Sequence, residues 1–376
     1  MVPGRVYIQR DTGIRGGIPD KSQKEDFNVS INSRNLIATI TLYLALILSF
    51  GFPCRLAAAT HNYEYRLVFA TNTSQLEKDI NQAASQGFRV AFMKEAETSS
   101  GGQILVLMVK DKGLDSTSSY KYAILASGRA SLLEKRMNES ALDGFQYRAM
   151  AESAYKLILI EKGAVPAAVN EYRVLTAVRL ESLRKHIDAA AEQGFRIEDT
   201  DEVGFGYTAI LSRPKGLDKA RYIYDLVNAV PKSTDNGFAL RGLLGSVKTV
   251  YVMEKDLNNA PEKTQYRIQS LNGNLDPQAM LRLAQQDGFC LMNASFPSGP
   301  LGGVPVVAMK KMNGKCDHIY VEDLQYYEDA QYYQAKEFGK GVTVLPFLDQ
   351  LNKWGSQGYE VVGFGPLKAV MIMPQS

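Results

Sequence analysis

Apolar and polar positions follow one pattern that recurs along the chain. Each copy begins with a stretch in which apolar and polar side chains alternate, as in Tyr63–Phe69. A period of two predicts a strand with one buried face. An amphipathic run with helical spacing comes next, and then a glycine, an aromatic residue and two further apolar stretches. Each copy therefore predicts a strand, a helix and two more strands.

A constant spacing joins the first strand of a copy to its glycine. Tyr65, Tyr122, Tyr172 and Tyr266 each stand twenty-two residues before Gly87, Gly144, Gly194 and Gly288, and weaker copies end at Gly237 and Gly358. Glycine enters the left-handed conformation of a helix C-cap without a side-chain penalty. We therefore interpret Gly87, Gly144, Gly194, Gly288 and Gly358 as helix caps rather than as parts of a ligand-binding loop.

The repeats predict an α+β fold of about six tandem β-α-β-β units, with mixed or antiparallel sheets covered by helices. The units span residues 60–113, 118–163, 169–217, 218–256, 262–313 and 316–376. Third strands such as Ile104–Val109 are apolar on both faces, so the units should pair or stack. In the fourth unit Gly237 stands only 13 residues after Tyr224, so this unit should lack most of its helix.

The helix starts carry recognisable local signals. Ser74 with Glu77, and Ser131 with Glu134, have the spacing of a capping box, in which the glutamate returns to the start of its own helix. The fifth unit should begin its helix with Asp276 as the N-cap and Pro277 at the first helical position.

The N-terminal part of the chain differs from the repeats. Residues 1–34 are polar and without periodicity, which predicts disorder. Residues 35–59 have the apolar core and small terminal residues of a signal peptide, which predicts cleavage after Ala59 and export to the periplasm or medium. The alternative is that residues 36–52 are retained as an inner-membrane anchor, since seventeen residues are at the short limit for a span.

Charge and candidate chemistry exclude several functions. Residues 1–59 contain seven basic and four acidic residues, so their removal leaves equal numbers of each, and we expect no nucleic-acid partner. Arg89 and Arg196 recur after Gly-Phe, and we interpret them as part of solvated strand faces rather than of a polyanion-binding stripe. No motif predicts a cofactor, a catalytic residue or a metal site. Cys290 and Cys316 are a candidate disulfide, with two buried free thiols as the alternative.

The loss of the fourth helix suggests a place for function. The first strand of unit four carries Tyr222, Tyr224 and Leu226, and the face left uncovered must be buried by something. Coverage by the adjacent unit or by residues 320–333 is one alternative. The other is a binding groove lined by these tyrosines, because aromatic rings with polar tips suit partner surfaces.

The repeated motif resembles a small bacterial domain family of unknown function, whose members read Glu-Tyr-Lys-Val and later Glu-Gly-Trp-Glu-Leu-Val. Residues 64–67, 86–90, 171–174 and 357–362 match this motif in type, although Phe or Tyr replaces the family's Trp. The resemblance covers nearly all of the chain after residue 60 as tandem copies. It implies a β-α-β-β fold and a bacterial source, and it brings no catalytic residues.

The sequence thus favours an exported, non-enzymatic repeat protein that offers a surface to a protein or a small ligand. A second hypothesis is a hydrolase-like enzyme with a carboxylate site between units. A third is a membrane-anchored envelope scaffold, which requires that residues 36–52 are retained. A cluster of titratable side chains in one deep cleft would favour the enzyme.

Overall fold

The computed structural model describes most of the chain from residue 61 onward. It covers residues 61–70, 72–98, 101–113, 120–152, 155–165, 167–203, 206–216, 219, 221–230, 233–234, 236–244, 249–259, 263–271, 276–295, 305–323, 346–364 and 368–374. The predicted extension and the predicted signal peptide or anchor lie outside the described residues. Among the helices that the structure does describe, none is long and apolar enough to cross a bilayer.

The fold is α+β, with small antiparallel sheets predominating. Unit one contains β1 (Tyr63–Ala70), α1 (Thr73–Ala84), β2 (Arg89–Thr98) and β3 (Gly101–Asp111). Unit two contains β4 (Lys121–Ser127), α2 (Ala130–Leu142), β5 (Gln146–Glu152) and β6 (Lys156–Lys162). Unit three contains β7 (Asn170–Ala177), α3 (Leu180–Ala191), β8 (Arg196–Val203) and β9 (Gly206–Pro214).

The later units follow the same order with one exception. Unit four contains β10 (Tyr222–Val227), the short β11 (Ser233–Thr234), β12 (Ala239–Leu244) and β13 (Val250–Asp256), without a helix among its described residues. Unit five contains β14 (Thr264–Ser270), α4 (Pro277–Gln286), β15 (Phe289–Ser295) and β16 (Val306–Lys311). Unit six contains β17 (His318–Asp323), α5 (Pro346–Gly355), β18 (Glu360–Phe364) and β19 (Lys368–Met373).

In each unit the third long strand lies between the first and the second. It pairs antiparallel with both, as β3 does with β1 and β2, so the first and second strands are parallel to each other. The helix connects the two outer strands, and the third strand, which forms a hairpin with the second, lies in the space between them. The short β11 of unit four pairs instead with β14 of unit five.

The helix ends follow the glycine pattern, whereas the helix starts do not follow the capping-box pattern. Gly87, Gly144, Gly194, Gly288 and Gly358 all have φ between 81° and 91°. The predicted capping boxes are wrong. The N-cap of α1 is Asn72, whose side chain accepts a hydrogen bond from the N–H of Gln75, and Arg129 precedes α2 without a side-chain cap. Glu77 and Glu134 bind the next unit instead.

Each helix packs between the sheet of its own unit and the sheet of the next. Leu76 and Ile80 of α1 contact Val106 of their own sheet and also Leu157 and Leu159 of unit two. The third strand of a unit packs against a different helix on each of its two faces. Leu157 and Leu159 face α1, whereas Ile158 and Ile160 on the same strand face α2 and unit three. This alternation explains why third strands are apolar on both faces.

The row of packed units is closed, because unit six packs against unit one. Leu351 of α5 shares a core with Tyr65 and Leu107 of unit one. The Asn352 side chain accepts a hydrogen bond from the N–H of Tyr65 at 2.7 Å and donates to the carbonyl of Tyr65 at 3.2 Å. The six sheets of the described residues, which we number by the predicted units that contain them, therefore join in a closed order with one joint between each consecutive pair. We write them as joints 1/2 to 5/6 and joint 6/1.

Helix side chains bind the free edge of the next unit's first strand. Asn81 on α1 donates to the carbonyl of Tyr122 and accepts from its N–H, both at 2.9 Å. Asn138 binds the backbone of Tyr172 in the same way. Glu77 and Glu134 accept from the N–H groups of Ile124 and Val174, two residues further along each strand. These bonds satisfy edge groups that would otherwise be open to strand pairing.

The leading tyrosine of each copy satisfies the backbone of the preceding unit. All six second strands shift register once, so that one residue bulges. At five joints, the N–H group just before the bulge donates to a tyrosine hydroxyl at 2.9–3.1 Å. The donor and acceptor pairs are Val90 and Tyr122, Tyr147 and Tyr172, Ile197 and Tyr224, Leu240 and Tyr266, and Val361 and Tyr65. A bulge interrupts the ladder, and the hydroxyl replaces the lost partner.

Joint 5/6 is built differently. Ile319, which is fully buried, stands where the other units have tyrosine, so no hydroxyl reaches unit five from this position. Cys290 and Cys316 form a disulfide across this joint, with their Cα atoms 5.0 Å apart. The Gln278 side chain also donates to the carbonyl of Ile319 and accepts from the N–H of Val321. The Cys290–Cys316 disulfide and the Gln278 carboxamide thus link units five and six where the other joints use a tyrosine hydroxyl.

We predict that Tyr172→Phe lowers the free energy of unfolding by about 1–3 kcal/mol, because it leaves the Tyr147 N–H group without its partner. Urea denaturation followed by circular dichroism measures this change. Tyr155→Phe is the matched control, since Tyr155 is 60% exposed. Equal midpoints for both variants would show that the hydroxyl does not stabilise the joint.

Candidate functional site

The second strands of all six units converge on one cavity of about 270 Å³, which we call the central cavity. Each strand contributes at least one lining residue. The lining includes Phe92, Arg148, Asp199, Arg241, Asn293 and Phe364, in order from unit one to unit six. Its volume lies just below the usual range for small-molecule sites, so it suits a ligand of a few heavy atoms.

The bulges place the most polar lining residues. The bulged position lies four residues after the glycine in every unit, and it carries Ala91, Arg148, Glu198, Arg241, Met292 and Val362. A bulge turns one side chain away from the regular alternation of the strand. Arg148, Glu198 and Arg241 line the central cavity from three consecutive units.

Arg148 belongs to a buried charge network at joint 1/2. Its Nε donates to the carbonyl of Val90 at 2.8 Å and lies 3.8 Å from the carboxylate of Glu161. Glu161 is 8% exposed and also binds Arg89, at 2.7 Å from Nη2, and the Tyr122 hydroxyl, at 2.6 Å. One carboxylate therefore faces two guanidinium groups.

The same network recurs at joint 3/4. Arg241 donates from Nη2 to the carbonyl of Ile197 at 2.9 Å, and its Nε lies 3.8 Å from Glu254. Glu254 accepts from Arg196 and from the Tyr224 hydroxyl, each at 2.8 Å. Arg89 and Arg196 thus bind buried carboxylates, while their own side chains stay 45% and 42% exposed, which agrees with their interpretation as part of solvated strand faces.

The two networks leave positive charge beside the cavity. Burial and the nearby charge of Arg89 lower the pKa of Arg148, because both disfavour a second positive charge at this joint. The hydrogen bonds to Glu161 raise the pKa of Arg89. An anion beside Arg148 would offset the remaining cost of burying its charge.

Unit three contributes the carboxylates of the cavity. Asp199 accepts a hydrogen bond from the hydroxyl of Tyr147 and another from the N–H of Thr200 at 2.8 Å. Burial raises the pKa of Asp199, although the hydrogen bond from Tyr147 and the charge of Lys94 oppose the shift. Burial and the negative charge of Asp199 also raise the pKa of Tyr147. Glu198 accepts from the hydroxyl of Ser212. The cavity is thus lined by three basic side chains and two acidic ones, which are Lys94, Arg148, Arg241, Glu198 and Asp199.

A second cavity of about 260 Å³ lies beside the network of joint 3/4. Arg196, Arg241, Glu254 and Asn293 are among its lining residues. Arg241 and Asn293 line both cavities. Among the described residues, no group of three His, Cys, Asp or Glu side chains is placed to hold a metal ion.

The sequence-based candidate surface lies elsewhere and is covered. Tyr224 and Leu226 are 1% and 9% exposed and belong to the core beneath α3 of unit three, while the half-buried Tyr222 packs against that core. Residues 324–333, the other possible cover, lie outside the described residues. A helix covers the first strand of the following unit, so the missing helix of unit four uncovers β14 rather than β10.

Comparison with known proteins adds no further assignment, since no protein family matches the chain and no curated protein sequence is significantly similar to it. The resemblance to the small bacterial domain family therefore stays a prediction.

Sequence reasoning did not find the central cavity. Arg148 and Arg241 differ in type from most residues at their position, so no repeated motif marks them. The sequence does carry one signal for these cavity residues, since the fourth residue after the glycine is charged in units two, three and four. Its meaning depends on the bulge, which the sequence did not reveal.

We predict that stability will depend on pH through Asp199. An acid whose pKa is raised on folding stabilises the native state below its unfolded pKa, near 3.8, and loses this contribution as pH rises through the folded pKa. Asp199→Asn removes this titration. The stability of the wild type relative to this variant should therefore fall as pH rises above about 4. Chemical denaturation at several pH values measures the difference, and a constant difference would contradict the burial of a titrating Asp199.

Proposed function

We propose that the protein is an exported, non-enzymatic binding protein that holds a small anionic molecule in the central cavity of a ring of six repeated units. The observation that carries this proposal is the position of Arg148 and Arg241. Both line the cavity, and each shares one buried carboxylate with a second arginine. Guanidinium groups bind carboxylates and phosphates with directed hydrogen bonds.

The joints support binding without large rearrangement. Arg148 and Arg241 each donate to a backbone carbonyl of the preceding unit, so their side chains are oriented before a ligand arrives. Orientation in advance reduces the entropy that binding must otherwise overcome. The repeat count, the export and the bacterial source rest on the sequence pattern, and they are part of the proposal.

We predict that Arg148→Met and Arg241→Met each weaken anion binding by about tenfold or more, because each removes a charged donor from the cavity. Isothermal titration calorimetry with phosphate, sulfate and small mono- and dicarboxylates measures the affinity. Arg136→Met is the matched control, since Arg136 is exposed on α2 of the same unit as Arg148. Thermal unfolding of each variant verifies that it is folded.

Two results would overturn the proposal. One is that none of these anions binds the wild type at concentrations up to about 10 mM, which corresponds to negligible affinity. The other is that an anion binds equally well to the two cavity variants and to Arg136→Met. In the second case the anion would occupy another surface.

A hydrolase is the second candidate, because Glu198 and Asp199 line the same cavity and the pKa of Asp199 is raised. A carboxyl group whose pKa is raised by its surroundings can act as a general acid. Both groups already accept hydrogen bonds from Ser212 and Tyr147, which suits a structural role. Turnover of an ester, glycoside or phosphate substrate that Asp199→Asn abolishes, with anion binding retained, would favour the enzyme.

A further inference from the structure

The joint between units four and five differs from the other five joints in its packing. At those joints a helix fills the space between consecutive sheets. At joint 4/5 the sheets meet through a small core that contains Leu240 and Met253 of unit four and Tyr266 and Ala308 of unit five. No helical residue belongs to this core as the structure describes it.

A groove of about 760 Å³ lies at this joint, and we call it the open groove. Its lining includes Val230 and Tyr251 of unit four and Tyr266, Arg267, Ile268 and Phe289 of unit five. The short β11 covers only one end of β14, where Ser233 and Thr234 pair with Gln265 and Thr264. The groove follows β14 beyond this pairing, over the stretch that a helix covers at the other joints.

Strand register identifies which groups face the groove. Tyr266 pairs with Lys310 as Tyr172 pairs with Ser212, so β14 and β7 present equivalent positions to the preceding unit. Ile268 is then equivalent to Val174, and Arg267 to Arg173. In unit three these two residues bind the same side chain: Glu134 of α2 accepts from the N–H of Val174 at 3.1 Å and from Arg173 at 2.6 Å.

The charge of the groove is complementary to such a helix. Arg267 is equivalent in strand register to Arg173, which binds Glu134 at joint 2/3, and here it binds Asp287 of its own unit at 2.8 Å. Asp287 is 58% exposed at its side chain, so this ion pair is weak and readily exchanged. The aliphatic part of the groove lies beside Arg267, at Val230 and Ile268.

We propose that the open groove docks an amphipathic α-helix of a partner protein, which inserts aliphatic side chains between the sheets and presents a glutamate to Arg267. The helix α2 is the template for this partner. Its Leu133 and Met137 fill joint 2/3, and Glu134 and Asn138 bind the strand edge. Helix-in-groove recognition uses this combination of apolar anchors at helical spacing and a few polar contacts. Docking is independent of anion binding in the central cavity.

A peptide with the sequence of residues 128–145, which contains α2, tests the proposal. Fluorescence anisotropy of the labelled peptide with the full chain should give a Kd of roughly 10–100 µM, because an isolated helix of this length must be ordered on binding. Arg267→Glu should weaken binding about tenfold. A peptide with Glu134→Arg should recover affinity for the Arg267→Glu variant and lose it for the wild type.

Lys185→Glu is the control, since it reverses an exposed charge on α3 away from the groove. It should leave peptide binding unchanged, and thermal unfolding should show that both variants are folded. Absence of peptide binding at millimolar concentration, or binding that ignores the charge exchange, would overturn the proposal. A concentration-dependent dimer that Arg267→Glu dissociates, without peptide binding, would overturn it in favour of a second copy of this chain.

Discussion

At five of the six joints, a hydrogen bond from a backbone N–H group to a tyrosine hydroxyl links the local shape of one unit to its neighbour. The bulge in the second strand interrupts the ladder beside a backbone N–H group, and the tyrosine of the next unit satisfies that group. Buried backbone groups without partners are costly. A unit with a bulge is therefore complete only when the following unit is in place. The helix, whose Asn and Glu side chains bind the edge of that following strand, adds to this dependence.

The joints share the bulge of the second strand, and the side chain that lies beside the bulge differs from joint to joint. The residue two positions after the helix-ending glycine is arginine at joints 1/2 and 3/4 and cysteine at joint 5/6. The arginines at joints 1/2 and 3/4 each bind a buried glutamate, and the cysteine at joint 5/6 forms a disulfide with Cys316. The intervening joints have Gln146, Ala239 and Glu360 at this position. The arginine and glutamate networks are therefore confined to joints 1/2 and 3/4, and the central cavity is uneven in its polarity.

Sequence reasoning succeeded where the cause is local and failed where the partner is distant. A positive φ at Gly194 and the alternation along β1 depend on neighbours in the chain, so the strands and helix ends were predictable. Glu77 and Glu134 have the spacing of capping residues, yet their partners lie forty or more residues away. The missing helix was predictable from spacing, but its effect falls on β14, because each helix covers the next unit. The candidate cavity depends on six bulges that no single copy reveals.

Closure of the ring has a consequence for the order in which the chain folds. Tyr65 binds Asn352 in α5, Tyr359 just before β18 and Val361 in β18, which are 287 to 296 residues further along the chain. During synthesis the amino-terminal units emerge first. Until unit six has been made, one face of the unit-one sheet, which carries Leu105 and Leu107, has no partner to cover it. Contacts of such long range slow the final step and leave an apolar sheet face open to aggregation. The nascent ring is therefore most vulnerable at the unit that is made first.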